Sequence, residues 1–496
     1  MKIHPLIPSI LLAVSIQSCD FSSPITFEPS SLSQYEPEYH FVPPFGWMND
    51  PNGMVYQNGT YHLFYQYYPD STVWGPMHWG HATSADLLSW KDEGIALYPD
   101  SLGYIFSGSA VLDESNSSGF GTESNPPLVA IFTYHDMEKE KAGELEYQSQ
   151  GIAYSLDNGK TWTKYEGNPV LPNQGIKDFR DPKVSRIQDS AGNWKWLMTL
   201  AVLDRIQFFE SSDLKSWTLL SEFGQSLGAH GGVWECPDLI PMKTPSGEEK
   251  YVLLVSINPG GPQQGSATQY FIGDFKNGEF IPDDELIRWL DYGPDNYAGV
   301  TWSNVPSERK DPLFIGWMSN WLYAQVVPTE KWRSSMTIPR ELNLFQVEDK
   351  LLVQSQPAKE LESLRKKSYS ISSSESALPS VATEITAEIE NTESFSLTLS
   401  NELGEKVIIN QEMGLINIDR SNSGKVNFHP DFAKTFSAPM SWKAESIRVF
   451  IDAHSIELFI NNGEIAMTTL VFPNSPWKSV ESIQGLENVK IYDLKK

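Results

Sequence analysis

The sequence predicts an all-β protein, a ring of repeated hairpin units followed by a sandwich-like domain, and three observations carry that expectation. Short period-two runs such as residues 60–67 (TYHLFYQY) and 195–202 (KWLMTLAV) recur between Gly, Asn, Asp and Pro turns, the pattern of half-buried strands. A turn with a Ser/Asp pair followed by Trp repeats at Ser84, Asp86 and Trp90, at Ser155, Asp157 and Trp162, and at Ser211, Asp213 and Trp217. Long amphipathic helical patterns are absent from the body of the chain. Recurrence every few tens of residues, each time beside strand-like runs, marks a blade unit rather than chemistry. In such turns Ser and Asp bond their own backbone and the Trp packs the hairpin, so these aspartates are structural.

Taken in order, residues 1–19 open with Lys2 and an apolar run over 5–16, then Gln17-Ser18-Cys19. The run is too short to span a bilayer and fits a secretory leader; a small residue before Cys19 makes that cysteine the lipidation site of a lipoprotein, with an ordinary cleaved signal peptide as the alternative. Residues 20–38, rich in Ser and Pro, are expected to be a flexible tether. Residues 39–342 are expected to form the blades, with a fourth hairpin near 274–280 and a last blade including 313–318. A linker over 343–365 contains a helix-prone stretch at 357–365. Residues 366–496 alternate again, at 395–399, 448–452 and 456–463, where Asn462-Gly463 marks a hairpin turn. No acid cluster stands out there, so this domain is expected to be a packing partner.

With 496 residues and 40% hydrophobic content the chain can build its own cores, and two cysteines, Cys19 and Cys236, exclude a disulfide framework. The net charge of −26 argues against nucleic acid as a partner and suits a neutral substrate such as a sugar.

Three stretches place an acid beside an aromatic or a basic residue with proline close behind. They are Trp47-Met48-Asn49-Asp50-Pro51-Asn52-Gly53, Phe179-Arg180-Asp181-Pro182 and Trp234-Glu235-Cys236-Pro237. Any one alone fits a strand-end turn in which the acid caps backbone N–H groups. Three in one chain make that reading much weaker and mark the acids as candidates for a functional site. Cys236 lacks a His partner for nucleophilic work and reads as a buried small residue; His78 and His81 lack a third metal ligand and read as packing.

In this order the motifs resemble the glycoside hydrolase family 32 β-fructosidases (invertases, inulinases, levanases and fructan exohydrolases), from about Phe41 to the C-terminus. The resemblance implies a five-bladed β-propeller with a funnel-shaped site, followed by a C-terminal β-sandwich, and a retaining mechanism without cofactor or metal. It makes Asp50 the nucleophile, Glu235 the acid/base and Asp181 the transition-state stabiliser, with Arg180 balancing charge. Trp47, Met48, Asn49, Gln66, Trp74, Phe106, Ser107, Arg180 and Trp321 are then the substrate-binding residues. The apolar neighbours Trp234, Cys236 and Pro237 suggest that Glu235 is the desolvated carboxyl. A retaining pair is expected about 5–5.5 Å apart. Segments 317–321, 332–333 and 339–341 look like those of microbial fructan-degrading members. Trp302-Ser303-Asn304 stands where many plant invertases carry Trp-Ser-Asp, which weakens a sucrose-only reading.

The implied activity is release of fructose from levan, inulin and sucrose by an enzyme lipid-anchored to a bacterial cell envelope. The alternatives are an endo-levanase, a fructosyltransferase, a non-catalytic fructan-binding lipoprotein, or an inverting arabinan hydrolase on the same kind of propeller.

Overall fold

The structure, a computed structural model, describes residues 27, 33–189, 191–371, 376–390 and 394–496. Cys19, the leader and most of the expected tether lie outside the described residues.

The alternating runs become antiparallel four-stranded sheets, and the described residues form five of them in a ring. Blade I is Gly46–Gln57, Thr60–Tyr68, His78–Ser84 and Lys91–Leu97; blade II is Tyr104–Leu112, Leu128–His135, Gln148–Ser155 and Thr163–Lys164. Blade III is Phe179–Gln188, Trp194–Val202, Arg205–Ser211 and Thr218–Phe223. Blade IV is Val233–Lys243, Glu249–Asn258, Ala267–Lys276 and Glu279–Pro282. Blade V is Tyr297–Thr301, Leu313–Met318, Arg340–Val347 and Lys350–Pro357. Each blade leads with its innermost strand. Trp332–Arg333 closes the ring by pairing in parallel with Gly46 and Trp47 of blade I. Apolar clusters fill the spaces between neighbouring blades, as where Trp47, Met48 and Tyr65 of blade I meet Tyr297 and Trp317 of blade V.

The repeated Ser/Asp turns join the third and fourth strands of blades I to III. Ser84 Oγ donates to Asp86 at 2.9 Å, Ser155 to Asp157 at 2.8 Å and Ser211 to Asp213 at 3.1 Å. Trp162 and Trp217 donate their indole N–H back into the same turns. These aspartates are spent on local geometry, away from the channel.

Blade V corrects the expected boundary. Residues 343–357, expected to be linker, continue the strand Arg340–Val347 and supply Lys350–Pro357, so the propeller runs to Pro357. Blade V needs an outer hairpin, and the rim segment between Met318 and Arg340 delays it in sequence. The helix-prone stretch is a short 3-10 helix, Lys359–Leu364, which buries Leu361 and Leu364. Residues 33–38, expected to be tether, are docked on the sandwich: Tyr35 packs edge-on against Phe472, and the Glu38 N–H donates to Asp452.

The C-terminal domain is two six-stranded antiparallel sheets enclosing Ile385, Leu397, Ile409, Val449 and Leu458. It meets the propeller through buried ion pairs. Arg340 bonds Asp291 at 2.8 Å and Glu457 at 2.5 Å, His40 sits between Asp452 (2.8 Å) and Glu457 (3.0 Å), and Arg420 bonds Asp295 at 2.6 Å. No helix among the described residues is long and apolar enough to cross a membrane.

Candidate active site

The site is made by one device repeated on every innermost strand. In each blade two consecutive residues face a single partner on the next strand, a β-bulge. Asn49-Asp50 lie opposite Gln66, Phe106-Ser107 opposite Thr133, and Asp181-Pro182 opposite Leu200. Cys236-Pro237 lie opposite Val255, and Ala298-Gly299 opposite Gly316. The bulge explains the motif prolines: Pro182 and Pro237 occupy positions left out of the ladder, where a missing N–H costs nothing. It also turns the backbone sharply. Asp181, Cys236 and Ala298 adopt φ of 65°, 45° and 53°, left-handed values that cost a non-glycine residue about 1 kcal/mol and cluster at functional sites.

The bulges aim Asp50, Asp181 and Glu235 into one cavity of about 250 Å³, lined also by Asn49, Gln66, Trp74, Phe106, Ser107, Arg180 and Trp321. Asp50 accepts from Ser107 Oγ at 2.6 Å and Asn49 Nδ2 at 2.9 Å. Asp181 accepts from the Cys236 N–H at 3.0 Å. The Cys236 thiol lies 3.6 Å from both Asp50 and Asp181, wedged between them. Arg180 reaches Glu235 through Nε at 3.2 Å and Nη2 at 3.0 Å, and Asp178 through Nη1 at 2.7 Å. The hydroxyl of Tyr297 donates to the other oxygen of Glu235.

Burial and mutual repulsion set the charges. Asp50 and Asp181 are buried, and burial pushes both carboxyls up; Glu235 nearby adds to the effect on each. For Asp181 the result is about 7, although Arg180 pulls the other way. Burial also opposes ionisation of Asp178, but its contact with Arg180 holds that carboxyl below the usual range. Burial drives the Cys236 thiol well up, with Asp181 and Asp50 adding to it, so it is a neutral donor here and not a nucleophile.

Three expectations need correction. Glu235 is not the desolvated carboxyl: its side chain is 20% exposed, because alternate residues of a strand face opposite ways and Trp234 points into the core between blades III and IV. Trp47 and Met48 do not line the cavity; both are fully buried between blades I and V, and Trp47 reaches the site indirectly, donating its N–H to Asn49 Oδ1 at 2.8 Å and packing its ring against Trp321. Trp302-Ser303-Asn304 lies at the other end of the channel, where Asn304 donates to the Tyr56 carbonyl, so it says nothing about the sugar.

That other end holds a second cavity, about 350 Å³, lined by later residues of the same inner strands, including Lys183, Asp238 and Thr301. It is the larger of the two, yet its buried Lys183 and Asp238 neutralise each other at 3.0 Å. Convergent, uncompensated carboxyls identify the site better than size does.

Sequence reading missed Tyr297, Gln148, Asp178, His135 and Glu140. Tyr297 precedes the bulge of blade V in a stretch with no acid motif. The other four stand on the edge of blade II and the connection into blade III, where only three-dimensional proximity marks them. Among the described residues no cluster of three or more His, Cys, Asp or Glu side chains could hold a metal. His78 and His81 face apart: His78 bonds the Pro76 carbonyl and His81 bonds His62.

Residues 40–356 match the Glycosyl hydrolases family 32 N-terminal domain and residues 349–494 match Glycosyl hydrolases family 32 C terminal. A levanase of Bacillus subtilis is 44% identical over 93% of this chain and 70% of its own length. The crystal structure of exo-inulinase from Aspergillus awamori superimposes with a TM-score of 0.83 at 34% identity, covering 93% of this chain and 98% of that one. A fructofuranosidase from Schwanniomyces occidentalis complexed with fructose gives 0.81 at 34% identity, over 94% of this chain and 100% of that one. With both domains matched and the propeller carrying three convergent carboxyls, this chain belongs to glycosyl hydrolase family 32.

Proposed function

We propose that the protein is a retaining β-fructofuranosidase that removes terminal fructose from levan, inulin and sucrose. The observation that carries this reading is the convergence of Asp50, Asp181 and Glu235, from three different blades, on one small cavity. The relatives, named as levanase, exo-inulinase and fructofuranosidase, supply the substrate class.

Asp50 attacks the anomeric carbon of the terminal fructose, its oxygens oriented by Ser107 and Asn49. Glu235 gives its proton to the departing glycosidic oxygen as the C–O bond breaks. Arg180 and Tyr297 both donate to Glu235, so they stabilise the carboxylate left behind. The same carboxylate then takes a proton from water, which displaces Asp50 and releases fructose with retained configuration. Asp181 accepts hydrogen bonds from sugar hydroxyls and faces the positive charge that develops on the ring. Trp74, Phe106 and Trp321 cover its apolar face. A cavity of about 250 Å³ suits a terminal sugar residue better than a chain passing through, which favours exo action.

The test is early-time product analysis on levan, inulin and sucrose. Fructose as the only early product from levan and inulin, with equimolar glucose and fructose from sucrose, supports the proposal; a ladder of oligosaccharides would make the enzyme endo-acting, and no product would leave a fructan-binding protein.

We also infer that Cys19 carries a lipid anchor, supported by the apolar run over 5–16 and the serine before it. The full chain is then expected in the membrane fraction and Cys19→Ala in the soluble one; equal partitioning would reject the anchor.

A further inference from the structure

Blade II differs from its neighbour at the cavity mouth. The second and third strands of blade III, Trp194–Val202 and Arg205–Ser211, are joined by two residues, 203 and 204. The same connection in blade II runs over residues 136–147 and includes a helix, Met137–Ala142, capped at both ends. Asp136 accepts from the Glu138 and Lys139 N–H groups, and Gly143 takes the left-handed conformation that ends the helix. Such a short helix has little stability of its own, so the caps and its contacts with the blade hold it. It brings Glu140 to the wall of the catalytic cavity.

A chain of hydrogen bonds fixes what Glu140 presents. The Phe179 N–H donates to Gln148 Oε1 at 2.8 Å, which leaves the amide nitrogen of Gln148 facing His135 Nδ1 at 3.2 Å. His135 therefore accepts at Nδ1, carries its proton on Nε2 and donates to Glu140 Oε2 at 3.2 Å. Its ring is held flat against Phe106, with centroids 4.1 Å apart and planes at 6°. Burial disfavours a second proton on this imidazole. Glu140 is thus oriented through one oxygen, its side chain is 46% exposed, and Oε1 has no hydrogen-bond donor among the described residues. It stands at the mouth, whereas Asp50 and Asp181 form the buried floor.

We propose that Glu140, positioned by His135 and Gln148, recognises the sugar residue on the leaving-group side of the scissile bond by accepting hydrogen bonds from its hydroxyls. This rests on the assignment of Asp50 and Glu235 made above. The floor takes the fructose that is transferred; Glu235 reaches the glycosidic oxygen, and groups nearer solvent meet what departs. A carboxyl is suited to two neighbouring hydroxyls of a sugar ring and offers nothing to a simple alkyl leaving group.

The test compares substrates that share the transferred fructose and differ in what leaves. Sucrose, inulin and levan carry a sugar on that side, and methyl β-D-fructofuranoside carries a methyl group. For Glu140→Ala, the ratio of kcat/KM on the sugar-leaving substrates to that on the methyl fructoside is expected to fall about tenfold, as for a lost hydrogen bond to a charged group. The loss should be mostly in KM, and Glu140→Gln, which keeps one acceptor, should recover part of it. An unchanged ratio, or an equal loss on all four substrates, overturns the proposal while the wild-type enzyme remains active. A wild-type protein inactive on all four overturns the assigned function and this inference with it.

Discussion

The catalytic cavity and the joint between propeller and sandwich are both buried clusters of charged side chains, and their carboxyls respond in opposite directions. At the joint Arg340, Arg420 and His40 face Asp291, Asp295, Asp452 and Glu457. Burial opposes charge there too, but Arg340 and His40 outweigh it, so Asp291, Asp452 and Glu457 are held below their ordinary range. Burial likewise pushes His40 down, yet its two carboxylate partners raise it to about 9. In the cavity a single guanidinium, Arg180, is spent on Asp178 and Glu235, and Asp50 and Asp181 rise. Depth is similar in the two places; charge balance differs. Compensated charge fastens the domains together, and uncompensated charge keeps the floor of the cavity ready to meet a cationic sugar.

The sharpest test of the contrast removes a group from each cluster. Asp50→Ala and Glu235→Gln are expected to lower kcat/KM on sucrose on the order of 10⁴-fold or more while leaving the thermal midpoint at or above the wild-type value. A folded, active Asp50→Ala protein would sink the assignment of the nucleophile. Glu457→Gln should do the reverse. It leaves Arg340 and His40 with less compensation in a dry site and is expected to cost about 3–5 kcal/mol in denaturant unfolding, with kcat of the folded enzyme nearly unchanged.

Two pH experiments refine the comparison. His40 binds its proton more tightly folded than unfolded, so its contribution is complete below about 6.5 and is lost as pH rises towards 9. Wild-type stability should therefore fall over that window, on the order of 2–3 kcal/mol, and His40→Gln should flatten the slope. In the cavity the folded state holds the Asp181 proton up to about 7, whereas the unfolded chain releases it near 3.8, so this group too makes stability fall as pH rises between those values. Asp181→Asn is expected to match wild type at pH 4 and to exceed it at pH 8 by about 4 kcal/mol, while losing activity. Equal stability of the two proteins at both pH values would mean that Asp181 is not under electrostatic stress.

Much of this was legible in the chain because it is local. Period-two alternation is a property of neighbouring residues, and so are the Ser/Asp turns, whose hydrogen bonds span two or three positions. The three acid motifs were visible as well, and in two of them the bulge leaves its trace in the sequence as a proline, Pro182 or Pro237, that no regular ladder would accept. These features mark the strands, the repeat and the acids. They leave open which side of a strand meets solvent and which charges meet across blades.

Tertiary structure decided the rest. It placed Trp234 in a core and left Glu235 beside Arg180 and Tyr297, although the sequence neighbours of Glu235 are apolar. It carried blade V on to Pro357, since the hairpin that completes it lies beyond a long rim segment. It sent Asn304 to the far end of the channel and brought Glu140 to the near one. The physical reason is the same throughout: strand formation depends on residues a few positions apart, whereas burial and charge compensation depend on groups that folding brings together from separate blades.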